Sequence, residues 1–228
     1  MKLIKTPGIV IRENEFSESD KIIILITPEY GKISVMAKGV KRKKKFLNST
    51  ELYTLSNFIL FKGTKMYHLN EAEVVESFYD IRFSYEKTIL ATEILKKASY
   101  FADSIFDKRE NYDFFKITIA SLYSIVEADD TKLKIIESIY IIRMLEIIGL
   151  GLNYEKIEEK EDIKKESTEA IKNIYIEDEN YTLPINVYNM IKYIQKKDIT
   201  KIFWISTNEE NIKILNEFRK IYFNNHLM

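Results

Sequence analysis

The apolar residues of this chain change their spacing near Asp80, and that change constrains what the chain can fold into. Before it they recur every second residue: Ile9 and Ile11 alternate with Val10 and Arg12, and Ile33, Val35 and Ala37 alternate with Ser34, Met36 and Lys38. Between them runs the compact apolar segment Ile22 to Ile26. A period of two places alternate side chains on opposite faces of a strand. Thr27-Pro28-Glu29-Tyr30-Gly31 joins two of these runs. Proline presets φ at the second position of a turn and glycine accepts positive φ at its exit, so this segment predicts a hairpin. Leu52 to Phe61 and Met66 to Val75 flank a second tight turn, Lys62-Gly63-Thr64-Lys65. Five strands in about 75 residues predict a small closed or partly closed barrel.

Beyond Asp80 the spacing becomes three and four. Leu90, Ile94, Ala98, Phe101 and Ile105 lay one apolar stripe on a helix from about Ser84 to Phe106, and Phe115, Ile119, Leu122 and Val126 repeat it. A third helix, from about Thr131 to Ile148, is apolar on more than one face, which predicts the centre of a bundle ended by Gly149. From Gly151 to Glu179 charge dominates, and irregular structure or a short helix is expected. Tyr181-Thr182-Leu183-Pro184 reads as the start of a helix running to about Lys196. Ile199 to Ile205 reads as a short helix, with a strand as the alternative. Thr207-Asn208-Glu209-Glu210 fits a capping box that opens a last helix through Ile212, Leu215, Phe218 and Tyr222. The fold class is α+β: an N-terminal barrel, then a helical domain.

Composition removes several function classes. With no cysteine, the chain has no disulfide, thiolate nucleophile or Cys-based zinc site, and its two histidines, His68 and His226, lie in different halves. No Gly-rich phosphate loop occurs. The acidic pairs Glu158-Glu159 and Glu161-Asp162 read as solvated surface, because adjacent helical positions do not face each other. The reading is of a protein that is not an enzyme, with no catalytic residues, no metal and no cofactor. The longest apolar stretch, Ile135 to Leu152, is broken by Glu137, Arg143 and Glu146, so no membrane span is predicted. The N-terminus lacks an uninterrupted apolar run with a cleavage site, and a cytoplasmic protein is expected. Arg143, inside an apolar run, either snorkels outward or pairs with Glu137 or Glu146.

Net charge is zero, yet it is unevenly spread. Between Lys32 and Lys65 stand nine Lys or Arg against one acid, Glu51, and five of the nine are consecutive, from Lys41 to Lys45. A charge run can be no more than a solvated loop. On a small barrel, however, a cationic loop with aromatic rings nearby fits a polyanion, since each contacted phosphate releases counterions and exposed rings stack on bases. Lys32, Lys38, Lys41, Arg42, Lys43, Lys44 and Lys45 are therefore the candidate nucleic-acid contacts, with Phe46 the candidate ring. Tyr53, Phe58, Phe61 and Tyr67 lie near the same stretch, and core packing is the expectation for most of them. Core packing is also the expectation for the aromatic residues of the helical domain.

Gly8-Ile9-Val10, Glu18-Ser19-Asp20-Lys21, Thr27-Pro28-Glu29-Tyr30-Gly31-Lys32 and Ala37-Lys38-Gly39-Val40 resemble, in order and spacing, the N-terminal domain of the bacterial recombination mediators of the RecO family. Arg143-Met144-Leu145-Glu146-Ile147-Ile148-Gly149 resembles the helix end that precedes that family's zinc module. The resemblance implies an OB-fold DNA-binding domain over 1–80 and a helical domain over 81–228, here with a charged, cysteine-free insertion at about 151–180. It implies binding to single- and double-stranded DNA, strand annealing in recombinational DNA repair, and cooperation with RecR and with the C-terminal tail of single-stranded DNA-binding protein (SSB). A monomer associated with the nucleoid is expected. By motif the family's DNA contacts carry over to Lys38, and by region alone to Lys41 to Lys45. Two other functions stay open: an adaptor whose helical domain binds acidic protein tails, and an RNA-binding OB-fold protein.

Overall fold

The computed structural model describes residues 3–44, 46–152, 171–176 and 179–227, by backbone alone for Lys43, 171–176, 179–182 and 226–227. Lys45 and most of the charged insertion, with the acidic pairs at 158–159 and 161–162, lie outside the described residues. Contacts divide the chain into two compact units, Met1–Ala128 and Asp129–Met228.

In the first unit β1 (Leu3–Glu15), β2 (Lys21–Thr27), β3 (Gly31–Ala37), β4 (Leu55–Lys62) and β5 (Tyr67–Glu76) close into a barrel in the order β1-β2-β3-β5-β4. This is the predicted OB-type barrel. Every pair is antiparallel except β3 with β5, whose short parallel seam matches Val35 to Tyr67 and Met36 to His68. The first strand serves two partners: Leu3 to Ile9 pair with β4, and Ile9 to Glu15 pair with β2. A register shift between Val10 and Arg12 bends it at the changeover. Inside, Ile4, Val10, Ile23, Leu25, Ile33, Val35, Phe58 and Leu60 form the core, as alternation requires. On the other face Ile9, Ile11 and Ile26 are buried as well. There α2 (Tyr85–Phe101) packs on β1, and α3 (Lys108–Glu127) packs on β2 and β3. Asp80, where the apolar spacing changes, thus lies within the first unit, which holds the barrel together with two helices.

Both helices open on a side-chain cap: the Ser84 side chain accepts from the Lys87 N–H and Asp107 from the Arg109 N–H. The buried face of α3 differs from the expected one. It runs through Phe114, Ile117, Thr118, Ser121, Leu122 and Ile125, one position round from the Phe115-Ile119-Val126 stripe. Thr118 and Ser121 make this possible, because their hydroxyls donate to the carbonyls of Phe114 and Ile117 at 2.9 and 2.8 Å and so can be buried without loss. The first helix ends at Phe101 rather than Phe106, and Phe106 is 88% exposed. Core packing holds for Phe101, Phe114 and Tyr140, whereas Tyr100 and Tyr112 face solvent.

In the second unit α4 (Asp130–Ile147) is buried on several faces, as expected of a central helix. It packs against α5 (Ile185–Lys196) and α6 (Glu209–Leu227). Its end follows prediction: Gly149, at φ 78, donates to the Glu146 carbonyl and Leu150 to that of Leu145, a Schellman closure. Four readings are corrected. Residues 171–176 and 179–184 are not irregular or helical but pair as antiparallel strands, β6 (Ile171–Ile176) with β7 (Glu179–Pro184), so Tyr181 to Leu183 belong to a strand and the helix starts at Ile185. Charge count hid the isoleucines and tyrosines that favour pairing there. Within Ile199 to Ile205 only Ile202–Trp204 is helical, as a 3-10 turn. The cap of α6 is Asn208, whose side chain accepts from the Asn211 N–H, not Thr207. Arg143 neither snorkels nor pairs with Glu137 or Glu146. Its guanidinium donates to the Ile194 and Gln195 carbonyls at the end of α5, where a cation also suits the helix dipole. Glu137 pairs instead with Arg219 at 3.1 Å. Among the described residues no helix is long and apolar enough to cross a membrane.

Candidate nucleic-acid interface

The basic loop leaves β3 at Ala37 and makes one helical turn, α1 (Val40–Lys43), bracketed by Gly39 at φ 67 and Lys44 at φ 55. Its base is fixed by the preceding β1–β2 loop. Asp20 accepts from the Gly39 N–H at 2.7 Å and from the Ser19 hydroxyl at 3.2 Å, while the Ser19 carbonyl accepts from the Lys41 N–H at 3.1 Å. The Gly39 amide, first, and the Ser17 and Ser19 hydroxyls hold the Asp20 carboxyl below its ordinary value, and the charge of Lys38 acts the same way. Two segments nineteen residues apart in sequence are thereby one structure.

The candidate cations do not share one environment. Lys32 is turned inward to α2 and the turn after it, donating to the Ser99 carbonyl at 3.0 Å and pairing with Asp103 at 2.6 Å. Lys41 pairs with Glu15 at 2.5 Å, and this bond holds the Glu15 carboxyl below the usual carboxylate range. Lys38, Arg42 and Lys44 are exposed, and none of them forms an ion pair with another described residue. The Lys43 side chain and Lys45 lie outside the described residues. Phe46 is half-buried where the loop returns. Strand register separates the remaining cations: Lys62 and Lys65 flank the β4–β5 turn beside the Leu3 end of β1, where Leu3 pairs with Phe61, and the basic loop lies beside its Glu15 end. The nine-cation stretch is therefore two groups.

Of the nearby rings, Phe58 is in the barrel core, and Tyr53 is buried with its hydroxyl 2.7 Å from that of Thr92. Phe61 and Tyr67 are half-buried, and Tyr67 packs on the core. One exposed ring carries no mark in the sequence: Phe16, in the β1–β2 loop, stands among Glu, Asn and Ser. Trp204, also exposed, lines two clefts of the second unit, of about 560 and 340 Å³, and carries the Lys132 ammonium 5.6 Å from its ring centre.

The chain's first 78 residues match the family model described as Recombination protein O N terminal. Over 150 residues, 65% of this chain and 58% of the relative, it is 37% identical to the DNA repair protein RecO of Acetivibrio thermocellus. It is 26% identical to the proteins of the same name from Clostridium acetobutylicum, over 93% of this chain and 87% of the relative, and Caldicellulosiruptor bescii, over 97% and 100%. The chain is similar to the RecO proteins, through its first 78 residues and through relatives matched over most of their length. The stretch matched to the Acetivibrio relative spans less than two thirds of that protein's length.

Two RecO-like motifs now have a physical meaning. Glu18-Ser19-Asp20-Lys21 and Ala37-Lys38-Gly39-Val40 meet in space, the first supplying the acceptors that the second needs. The zinc module that the RecO resemblance brings with it does not fit this chain, which has no cysteine. No cluster of three or more metal-ligating side chains occurs among the described residues either. His68 sits half-buried on β5 opposite Met36 and Phe61, and the side chain of His226 lies outside the described residues.

Proposed function

We propose that this chain acts in DNA repair as a binding protein, with the barrel of residues 1–80 holding the sugar-phosphate backbone of DNA on the basic loop. Support comes from Lys38, Arg42 and Lys44, exposed on a loop whose base is fixed by Asp20 and Ser19, and from relatives named DNA repair proteins. Cations on a prearranged loop replace condensed counterions without first having to order the backbone. Two complementary strands neutralised in this way repel each other less, which is the physical basis for strand annealing. No bond is made or broken, and no cofactor takes part. Cooperation with RecR and with the SSB tail, and a monomeric, nucleoid-associated protein in the cytoplasm, complete the reading that the RecO resemblance implies.

Salt dependence tests it. Each phosphate neutralised on a single strand adds about −0.7 to the slope of log affinity against log salt, so four contacts give a slope of roughly −3. Changing Lys38, Arg42 and Lys44 together to Glu is expected to flatten that slope to about −1 and abolish tight binding. An unchanged affinity and slope would remove the loop from the interface.

A further inference from the structure

Phe16 is 61% exposed at the end of the barrel that carries the basic loop. The exposure is not that of a loose chain. The Phe16 and Ser17 N–H groups both donate to the Asp20 carbonyl, at 3.1 and 3.3 Å, and the Asp20 N–H donates to the Ser17 hydroxyl at 3.1 Å, so the loop tip is closed on itself. The same loop is joined to the basic one at three points: Asp20 to Gly39, Ser19 to Lys41, and the Glu15 carboxylate to the Lys41 ammonium. Phe16 is therefore one residue from a direct contact with the cationic loop, about 3.8 Å along the backbone. A solvated phenyl ring contributes nothing to the barrel core, and its neighbours Glu15, Ser17 and Glu18 are residues that water accepts more readily.

Charge around the ring favours a polyanion. Across residues 13–21 and 38–44 there are six Lys or Arg and four acids, a surplus of two. Glu13 is paired with Lys21, Glu15 with Lys41, and Asp20 is bonded to the Gly39 amide, while Glu18 stays exposed and opposes binding.

We infer that Phe16 is a stacking platform for one unpaired base of a single strand whose phosphates lie on Lys38, Arg42 and Lys44. The inference rests on the DNA-binding reading above and adds to it a preference for single strands. Every base offers a π-face, so such a ring binds without regard to sequence. A duplex keeps its bases stacked on one another, so the same ring gains nothing from it.

The test uses the full chain with three probes of equal length: a thymidine oligomer, an abasic oligomer with the same backbone, and a duplex. Phe16→Ala is expected to weaken the thymidine oligomer about 10-fold, within the range of base–aromatic stacking. It should leave the salt slope, the abasic oligomer and the duplex unchanged, and Phe16→Tyr should restore binding to within about twofold. Equal weakening of all three probes would assign the ring to loop architecture and overturn the inference, as would no change on the thymidine oligomer. Failure of the unaltered chain to bind any probe would instead sink the DNA-binding reading itself. Binding that Lys38→Glu, Arg42→Glu and Lys44→Glu abolish together, but that ignores Phe16→Ala, would sink the stacking role alone.

Discussion

Strand β3 ends in two turns built from similar parts, and they turn those parts to opposite uses. At its start the turn Pro28–Tyr30 closes inward. The Thr27 hydroxyl donates to the Gly31 carbonyl at 3.0 Å and accepts from the Tyr30 N–H at 3.1 Å, Thr27 is fully buried, and the neighbouring Lys32 is bound to Ser99 and Asp103. At the other end Asp20 and Ser19 fix the backbone at Gly39 and Lys41 just as firmly, but Lys38, Arg42 and Lys44 point to water. Both turns use a glycine at positive φ, Gly31 at 59 and Gly39 at 67. A turn whose closing hydroxyl and neighbouring lysine are engaged within the protein serves the fold. A turn with a fixed backbone and exposed cations is arranged for something outside it.

The largest effect expected from breaking this contrast is at Gly31. An alanine there needs a left-handed backbone, and its Cβ would sit 2.8 Å from Asn111 Oδ1. Gly31→Ala should cost about 2 kcal/mol in urea unfolding, most of it from the backbone, with the displaced Asn111 supplying the rest. Adding Asn111→Ala should recover only that smaller part. DNA affinity of the folded protein should not change. Gly39→Ala should cost less, about 1 kcal/mol of backbone strain, and should weaken single-strand binding because the loop base shifts. If Gly31→Ala lost affinity and Gly39→Ala did not, the division between a structural turn and a binding turn would be wrong.

Much of the barrel was legible because its signals are local. Alternation identified Val35 and Ile33 as inward-facing, Pro28 and Gly31 marked the turn, and Gly149 marked the end of α4. What sequence could not supply were side-chain bonds to distant partners. A count of cations treats Lys32, Lys41 and Lys44 alike, yet Asp103 and Glu15 engage the first two and leave the third exposed. Arg143 was misread for the same reason, since its acceptors lie on α5, some fifty residues on. The α3 face was misplaced because hydropathy ranks Thr118 and Ser121 as surface residues, whereas bonds to their own helix let them be buried. Phe16 was passed over because a ring inside a polar run carries no periodicity to mark it.

The finest test of the contrast lies in the acid that fixes the binding turn. The Asp20 carboxyl is held below its ordinary value of 3.8, chiefly by the Gly39 N–H. A carboxylate depressed in the folded state stabilises the protein fully above the unfolded-chain pKa, and that contribution disappears as pH falls through the folded one. The Gly39 amide should therefore keep a constant protection factor against hydrogen exchange from neutral pH down to about 4, and lose it below that as Asp20 protonates. In Asp20→Asn protection should be reduced at every pH and show no such step. The turn at Gly31, closed by the uncharged Thr27 hydroxyl, should hold its protection across the same range. A step at Gly31 matching that at Gly39 would mean that acid loosens the whole barrel end rather than this one contact, and the two turns would then be one cooperative unit.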